Sequence, residues 1–459
     1  MFYPQLRVPR QKLQSVISTP GDGINTHFPP QYIKPSEAVD VVNMNARYYP
    51  ALQTRYGREL FSEHTGDIWA IGERNNEYLH VQEGTAWKYY DGVSWVEVLP
   101  SGLTEAEGKF LDFVRGSDRN TILMNGTNRI MWDGTDITNL TDAPLTNKFT
   151  VHKGRVYAID GTMLRFSALN KADDWTSVND SGFIQITQAK GEATGIVTYN
   201  DYVTIFTKSS MHRLFGTGPE SYQLVDVNTA IGCVSDKSIV TCNSTLYFAG
   251  FDGIYASDGA FPRKVSQRID GIYRQIPTDQ MDKISAGIVN NESLIISLPV
   301  GTGITANNII VRYDPINDRW FTEDGEFDRF VNIDFDLYGV NSDNDIMLFE
   351  TGNDDDGTDI DWEWESGARY SRPSALQTLS EVWIVYDGAD ATSVNFYVSA
   401  SLETDDWVLV KTLDAHTSSG TERIQIPLTY INDIEYYRLK ITGTGQMKIY
   451  NIEEIYRVR

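Results

Sequence analysis

The densest group of side chains that could bind a cation lies at the start of the last quarter of the chain. Asn353-Asp354-Asp355-Asp356-Gly357-Thr358-Asp359 is followed closely by further carboxylates. A calcium loop needs alternating oxygen ligands around a glycine at its sharp turn. With Gly357 at that turn, the first ligand position falls on Gly352, which has no side-chain oxygen. We therefore expect a solvated turn, with a bound cation at Asp354–Asp359 as the alternative.

The cysteines and histidines are too few and too widely spaced to predict a metal site or a disulfide framework. Cys233 and Cys242 lie in IGCVSDKSIVTCNSTLYF, a pattern typical of two short strands around a polar turn. We expect two buried thiols, with a cross-strand disulfide as the alternative. The histidines form no H-x-x-x-H pair, and no C-x-x-C is present. No catalytic residue, cofactor-binding residue or metal ligand is therefore predicted; the histidines are His27, His64, His80, His152, His212 and His416.

The phrase SALNKADDWTSV, from Ser167 to Val178, is similar to the acidic turn of sialidase-type propellers, Ser-x-Asp-x-Gly-x-x-Trp. Asn170 and Lys171 replace the aspartate and glycine neighbourhood of that turn. Such a turn is structural, because its tryptophan packs between strands while its acid caps the hairpin. A sialidase also needs three converging arginines, a tyrosine nucleophile and an aspartic acid, and the arginine spacing marks no such set.

Tryptophans in the first third of the chain could stack on sugars. For Trp87 and Trp95 we favour core or cross-strand packing instead, because aromatic pairs stabilise half-buried sheets; Trp132 is the third such ring. The chain has no G-x-x-x-x-G-K-[ST], no G-x-S-x-G and no H-E-x-x-H. Together these observations predict that the protein is not an enzyme.

Composition narrows the class of protein. The chain has 459 residues, with 39 Lys and Arg against 63 Asp and Glu, a formal net charge of −24. This length allows two or three domains, each with its own core. No apolar run is long enough to span a membrane, and the N-terminus lacks the apolar region of a secretory signal. Binding to nucleic acid through a broad basic surface is excluded, because that mode needs an excess of cations.

Short β-branched or aromatic runs bounded by turn residues predict an all-β protein. A unit of apolar strands separated by turns, commonly with a D-G step before an aromatic strand, recurs at the spacing of propeller blades. We predict a β-propeller of about seven blades, with six to eight allowed, because closing small sheets into a ring protects their edges. The repeats span Gly66–Pro100, Glu107–Pro144, Thr146–Val178, Gly191–Asn228, Thr229–Gln275, Asp282–Asp324 and Phe330–Ser366.

Longer strands with period-2 alternation follow Ser366 and predict a C-terminal antiparallel β-sandwich. We place an extended N-terminal arm and first strands at 1–60, the propeller at 61–366 and the sandwich at 367–459. A short helix is expected near Pro35–Val42, with Ser36 as its cap. The arm Met1–Pro35 is expected to reach a neighbouring subunit, or alternatively to close the chain's own propeller.

Three segments of the chain carry recognisable patterns. The first reads "…E-A-x-x-x-x-N…" and then "…T-R-x-G", and its matching residues are Glu37, Ala38, Asn43, Thr54, Arg55 and Gly57. The second is LRFSALNKADDWTSV, similar to a "Y-x-S-x-x-x-D-x-x-D-W" phrase, and the third is the ending YYRLKITGTGQMKIYNIEEIYRVR. Together these segments resemble the tail-hub, or nozzle, proteins of short-tailed bacteriophages, also described as packaged-DNA stabilisation proteins.

The resemblance implies a virion structural protein, in a homo-oligomeric ring of six copies below the portal or adaptor. Such a ring would extend the DNA channel, retain the packaged genome and attach tail fibres or spikes, with assembly in the host cytoplasm. An acidic channel would repel phosphate and let DNA pass without binding it. The alternative is a glycan-binding or glycan-degrading propeller that acts as a receptor-binding tail protein.

Overall fold

The computed structural model describes residues 12–186, 191–370, 376–388, 392–402, 406–413, 421–428 and 434–458. Strands dominate this part of the chain, which confirms the all-β prediction. None of its helices is long and apolar enough to cross a membrane. Among the described residues, the one α-helix, α1, is a single turn at Asp270–Tyr273, and the 3-10 turns are Pro30–Tyr32, Pro219–Ser221, Asp236–Ser238, Gln267–Ile269 and Met281–Lys283.

Two compact units divide the chain differently from the predicted boundaries. Unit 1 comprises Met1–Gly57, Arg319–Glu323 and Gly352–Arg459, and unit 2 comprises Arg58–Asp318 and Asp324–Thr351. The N-terminal segment and the C-terminal third therefore belong to one unit. The physical reason is strand pairing, since N-terminal strands complete C-terminal sheets, a long-range relation that local sequence patterns do not encode.

The N-terminal segment forms strands instead of the short helix expected near Pro35–Val42. Ala38 and Val41 are fully buried, and Val42 is paired with Glu363 of a later strand. A helix of eight residues has little intrinsic stability, so pairing with existing strands prevails. The strands are β1 (Lys12–Ser18), β2 (Ala38–Val42), β3 (Met44–Asn45), β4 (Leu52–Thr54) and β5 (Arg58–Ser62).

Unit 2 begins with antiparallel four-stranded sheets whose strands follow chain order. Each starts close to the beginning of a predicted repeat, although the third extends past Val178 to Gln185. The first contains β6 (Ile68–Arg74), β7 (Tyr78–Glu83), β8 (Ala86–Tyr90) and β9 (Trp95–Leu99); the second β10 (Lys109–Arg115), β11 (Asp118–Met124), β12 (Arg129–Trp132) and β13 (Ile137–Asn139); the third β14 (Phe149–His152), β15 (Arg155–Asp160), β16 (Met163–Phe166) and β17 (Gly182–Gln185).

The pattern continues through four further sheets. The described strands of unit 2 form seven sheets in all. The outer strand of the seventh sheet is β5, which comes from before the first sheet in the chain. The fourth contains β18 (Ala193–Tyr199), β19 (Tyr202–Thr207), β20 (Met211–Phe215) and β21 (Gln223–Asn228), and the fifth contains β22 (Val240–Cys242), β23 (Thr245–Ala249), β24 (Ile254–Ser257) and β25 (Arg263–Lys264). The sixth contains β26 (Ser285–Val289), β27 (Ser293–Leu298) and β28 (Ile309–Asp314), and the seventh contains β30 (Phe327–Ile333), β31 (Asp336–Asn341) and β32 (Ile346–Phe349). The strand between these two sheets, β29 (Arg319–Glu323), lies in unit 1.

Packing between the first and seventh sheets closes unit 2 into a ring. Ile68 and Val81 of the first sheet share a buried cluster with Val340 and Ile346 of the seventh. The inner strands contact in sequence, with β6 touching both β10 and β30. This arrangement is a β-propeller, as predicted. Closure comes from β5 and not from Met1–Pro35, whose described part instead contributes β1, paired with the chain's last strand in unit 1.

Unit 1 contains the remaining strands, which are β33 (Asp354–Asp355), β34 (Thr358–Asp359), β35 (Asp361–Ser366), β36 (Gln377–Asp387), β37 (Thr392–Ser399), β38 (Val408–Leu413), β39 (Glu422–Pro427), β40 (Arg438–Thr444) and β41 (Lys448–Val458).

Two sheets of unit 1 are built from both ends of the chain. One has the order β3-β4-β41-β36-β39, with β1 also paired with β41, and the other contains β29-β2-β35-β40-β37-β38. Ile384 and Ile452 of the first sheet and Phe396 and Ile441 of the second border one narrow apolar space.

Candidate functional site

The inner strands of unit 2 border a cavity of about 540 Å³. Close approach of the sheets shapes its wall, because a Cβ atom at Gly72 would lie 2.3 Å from the Cβ of Phe110. Concave spaces of this size are the usual first place to look for a binding site. The ionisable lining residues are Glu73, Glu107, Lys109, Lys148, Lys208, Asp236, Lys237, Asp282 and Arg329.

Several of these charges are paired with one another. Lys109 Nζ lies 2.8 Å from Asp236 Oδ2, and Lys237 Nζ lies 3.4 Å from Glu107 Oε1. Asp236 also accepts a hydrogen bond from the backbone N–H of Ile196 at 2.9 Å. These pairs join the start of the second sheet to the 3-10 turn that precedes the fifth sheet. Two of the carboxylates in the lining therefore have a cation beside them.

A third carboxylate, Glu73, has a different environment. Burial raises the pKa of Glu73, while the hydrogen bond from the backbone N–H of Asn76 opposes that shift. A raised carboxyl pKa is one property of a general acid. A glycosidase needs a second carboxylate poised across the substrate; in this lining Glu107 and Asp236 lie beside lysines, and Asp282 is the remaining carboxylate. The described lining residues also include no tryptophan on which a sugar could stack.

Sequence reasoning missed a Ser–His–Asp arrangement in the fourth sheet. Ser210 Oγ lies 2.8 Å from His212 Nε2, and His212 Nδ1 lies 2.7 Å from Asp226 Oδ1. The connectivity is that of a hydrolase triad. However, Ser210 and His212 are fully buried, and Ser210 Oγ also contacts Thr207 Oγ1 at 2.7 Å. No substrate can reach this serine in the folded sheet, so the network ties β19, β20 and β21 together.

The tryptophans considered as sugar platforms are packing residues. Trp87 is fully buried and Trp132 nearly so, and both belong to the core between the first two sheets. Trp95 is half-buried, and its Nε1 donates a hydrogen bond to Ser62 Oγ at 2.8 Å. The favoured interpretation of Trp87 and Trp95 is therefore confirmed, and Trp132 has the same role.

The turn at Ser167–Val178 has the structural role predicted for it. Trp175 is buried in the core between the second and third sheets, and its Nε1 donates to the carbonyl of Ala172 at 2.7 Å. Asp174 accepts hydrogen bonds from the backbone N–H groups of Thr176 and Ser177. Asp174 also accepts a hydrogen bond from the Ser177 hydroxyl, which makes the largest contribution to lowering the pKa of Asp174, and the two backbone bonds lower it further.

We expect Asp174→Ala to lower the Tm by about 2–4 °C, because the turn loses the acceptor for two backbone donors. Differential scanning calorimetry at pH 7 measures this change. Asp173→Ala is the matched control, since Asp173 is the exposed neighbouring acid. Equal effects of the two substitutions would show that the cap contributes nothing.

The acidic run forms a turn in which Asp355 is bound by Arg55 instead of being solvated, whereas both thiols are buried as expected. Asp354–Asp355 and Thr358–Asp359 form a two-stranded hairpin, in which Asp354 accepts a hydrogen bond from the backbone N–H of Gly357. Within the described ranges, no three His, Cys, Asp or Glu residues are placed to hold a metal ion. Cys233 and Cys242 are free and buried, and burial raises the pKa of both thiols. His416 lies outside the described residues.

The residues that match the first phage-like segment converge in a buried network of unit 1. Arg55 donates two hydrogen bonds to the carboxylate of Asp355, at 2.8 and 2.6 Å, and one from Nε to Asn43 Oδ1 at 2.9 Å. Thr54 Oγ1 accepts from the backbone N–H of Met447 at 3.0 Å. Glu37, close to full burial, accepts from Asn25 Nδ2 at 3.1 Å. Arg55 and Thr54 therefore hold the N-terminal strands against C-terminal residues, whereas Glu37 makes its contact within the N-terminal segment.

The similarity of this chain to known proteins is limited to solved structures. No family model and no curated protein matches the chain. Virginiamycin B lyase from Staphylococcus aureus has a TM-score of 0.45 and 11% identity, covering 64% of this chain and 99% of that one. The extracellular domain of a hybrid two-component system from B. thetaiotaomicron has a TM-score of 0.46 and 10% identity, covering 90% and 62%. Similarity at this level carries no information about activity.

Proposed function

We propose that this chain is a structural protein of a bacteriophage virion, a tail hub or nozzle that is not an enzyme. Six copies would form a ring below the portal or adaptor, extend the DNA channel, retain the packaged genome and attach fibres or spikes. The two sheets of unit 1 would form the predicted β-sandwich. The protein would assemble in the host cytoplasm and remain in the tail of the virion.

The observation that carries this proposal is the network around Arg55. The motif residues that resemble the phage family make buried structural contacts: Arg55 with Asp355, Asn43 with Arg55, and Thr54 with Met447. The first and the last of these contacts link segments about 300 and 390 positions apart in the chain. A resemblance at such positions is what a shared architecture requires. A shared catalytic site would instead place its matching residues around an open cavity.

The paired charges of the propeller cavity support the same proposal. Lys109–Asp236 and Lys237–Glu107 join the start of the second sheet to the 3-10 turn Asp236–Ser238, so each of these two carboxylates has a cation beside it. The net charge of −24 also suits a protein past which DNA must slide, because like charges disfavour binding. A propeller that degrades glycans would be favoured by free paired acids and an accessible tryptophan.

Molecular mass in solution tests the proposal. We expect the purified protein to form a ring alone, or to be a monomer that becomes a ring of six after mixing with the portal and adaptor components of its virion. Native mass spectrometry and electron microscopy of the mixture distinguish these states. A stable monomer that ignores those components and cleaves a polysaccharide would contradict the proposal and favour the glycan-degrading alternative.

A further inference from the structure

Unit 1 contains a second cavity, of about 360 Å³, whose lining residues all belong to that unit. Its wall comes from strand β1, from the turn around Pro30–Tyr32, from the segment after β35 and from β41. This volume lies within the range of small-molecule sites, roughly 300–1,000 Å³. The residues used below are Tyr32, Arg369, Tyr370, Tyr437, Glu454 and Tyr456.

Two oppositely charged side chains in the wall have unused hydrogen-bonding capacity. Arg369 is 6% exposed and Glu454 is 2% exposed. Arg369 Nε lies 3.7 Å from Glu454 Oε1, which is close enough for attraction but too long for a hydrogen bond. All three guanidinium nitrogens and Glu454 Oε1 have no hydrogen-bond partner among the described residues. Buried polar groups are rarely left in this condition, and each such group costs stability.

The other carboxylate oxygen of Glu454 is already used. The hydroxyl of Tyr437 donates to Glu454 Oε2 at 2.5 Å, which fixes the orientation of the carboxylate. Burial, followed by the nearby charge of Glu454, raises the pKa of Tyr437, so this hydroxyl remains a donor. One oxygen is therefore held by the protein, and the other is left for a donor that the cavity would receive.

Tyrosine rings form much of the remaining wall. Tyr32 is 70% exposed and Tyr370 is 41% exposed, so these two rings border the cavity where it meets solvent. Tyr370 also packs edge-to-face against Tyr436, with ring centroids 5.5 Å apart. Tyr456 is buried deeper in the wall. Exposed aromatic rings beside buried polar groups are typical of sites that bind a flat, partly apolar ligand.

We propose that this cavity binds a neutral saccharide, with the vicinal hydroxyls of one sugar ring contacting Arg369 and Glu454. A sugar hydroxyl both accepts and donates, so one hydroxyl can accept from the guanidinium while its neighbour donates to Glu454 Oε1. Tyr32 or Tyr370 would cover the apolar face of the ring. Because Arg369 and Glu454 together carry no net charge, the pair favours an uncharged ligand over an anion, which Glu454 would repel. The third charged residue of the lining, Lys34, lies 3.9 Å from Glu37 Oε1, so its charge is also offset.

Sugar binding is tested on the full chain with D-glucose, D-galactose, D-mannose and N-acetylglucosamine. Each is titrated to about 100 mM and followed by saturation-transfer NMR, since single-ring sites commonly have millimolar Kd values. We expect at least one sugar to bind, and Arg369→Met to weaken that binding by about tenfold or more. Glycerol, which has vicinal hydroxyls but no ring, and the blocked amide N-acetylglycinamide serve as competing probes.

Tyr32→Ala provides a second variant in case Arg369→Met does not fold, because Tyr32 is largely exposed. We expect it to weaken sugar binding by about threefold to tenfold. Tyr48→Ala is the matched control, since Tyr48 is also exposed in unit 1 but does not line the cavity. The proposal is overturned if none of the four sugars binds, if glycerol or the amide binds as well as the best sugar, or if both cavity variants bind like Tyr48→Ala.

Discussion

Replacing Arg55 with methionine is expected to lower the free energy of unfolding by about 3–5 kcal/mol, the usual result of removing one partner of a buried ion pair. Arg55 is 1% exposed and donates to both oxygens of Asp355. Its Nε also lies 3.9 Å from Glu323 Oε2, and Glu323 is equally buried. Methionine fills similar space but leaves two carboxylates without the cation beside them. Urea denaturation at pH 7 measures the change.

Arg423→Met is the matched control for that experiment. Arg423 Nη2 lies 2.7 Å from Glu453 Oε2, but the Arg423 side chain is 53% exposed. Exposed pairs contribute about 0–1 kcal/mol, because water screens the charges and both side chains lose rotational freedom. We therefore expect a small effect from this substitution. If Arg55→Met were no more destabilising than Arg423→Met, the network around Arg55 would not be the element that joins the two ends of the chain.

Sequence periodicity predicted the propeller well, because each sheet is made from consecutive strands joined by short turns. Gly66–Pro100 was expected to be one repeat, and its strands run from Ile68 to Leu99. The signals are local there, since apolar alternation and D-G turns act within a few residues. The same local signals placed Trp87 and Trp175 in the core.

Pairing between distant segments was not predictable from the same patterns. β5 completes a sheet with β32, and β1 runs beside β41, across nearly the whole length of the chain. No local alternation identifies which of many strands will be the partner, because every edge offers similar backbone groups. The predicted end of the last repeat at Ser366 was wrong for this reason, since β35 pairs with β2 and β40 in unit 1.

Side-chain sites were even less visible in the sequence. The buried pair of Arg369 and Glu454 is separated by 85 positions and belongs to no motif. Ser210 and His212 lie two residues apart, a spacing that places side chains on the same face of any strand and is therefore not specific. Asp226 is brought next to His212 only by the fold. Their burial, which decides against catalysis, depends on sheet packing that a single sequence does not reveal.

Acid is expected to destabilise the propeller through His80. This histidine is fully buried in the first sheet, and its Nδ1 accepts a hydrogen bond from Trp87 Nε1 at 2.8 Å. Burial, with a smaller contribution from the charge of Arg74, lowers the pKa of His80 from 6.5 to about 3. The unfolded chain therefore binds a proton more readily than the folded one between these two pH values, so stability falls as the pH drops through that window.

The expected loss from this one group between pH 7 and pH 4 is about 3 kcal/mol. Comparing the wild type with His80→Gln isolates it, because glutamine offers an oxygen to Trp87 Nε1 but does not titrate. Glu83 also titrates in acid, but it is present in both proteins. Burial acts to raise its pKa, but hydrogen bonds from Lys88 and His64 outweigh that effect and lower the pKa to about 2. Its contribution therefore largely cancels in the comparison.

Urea denaturation at several pH values gives the two curves. We expect His80→Gln to be less stable than the wild type at pH 7, because the imidazole packs against Tyr89 and Phe110, with ring centroids 5.5 and 5.8 Å apart. Its stability should then fall less steeply toward pH 4, so that the curves converge. Parallel curves would mean that His80 is protonated in the folded state as readily as in the unfolded one, and that the first sheet opens enough to hydrate it.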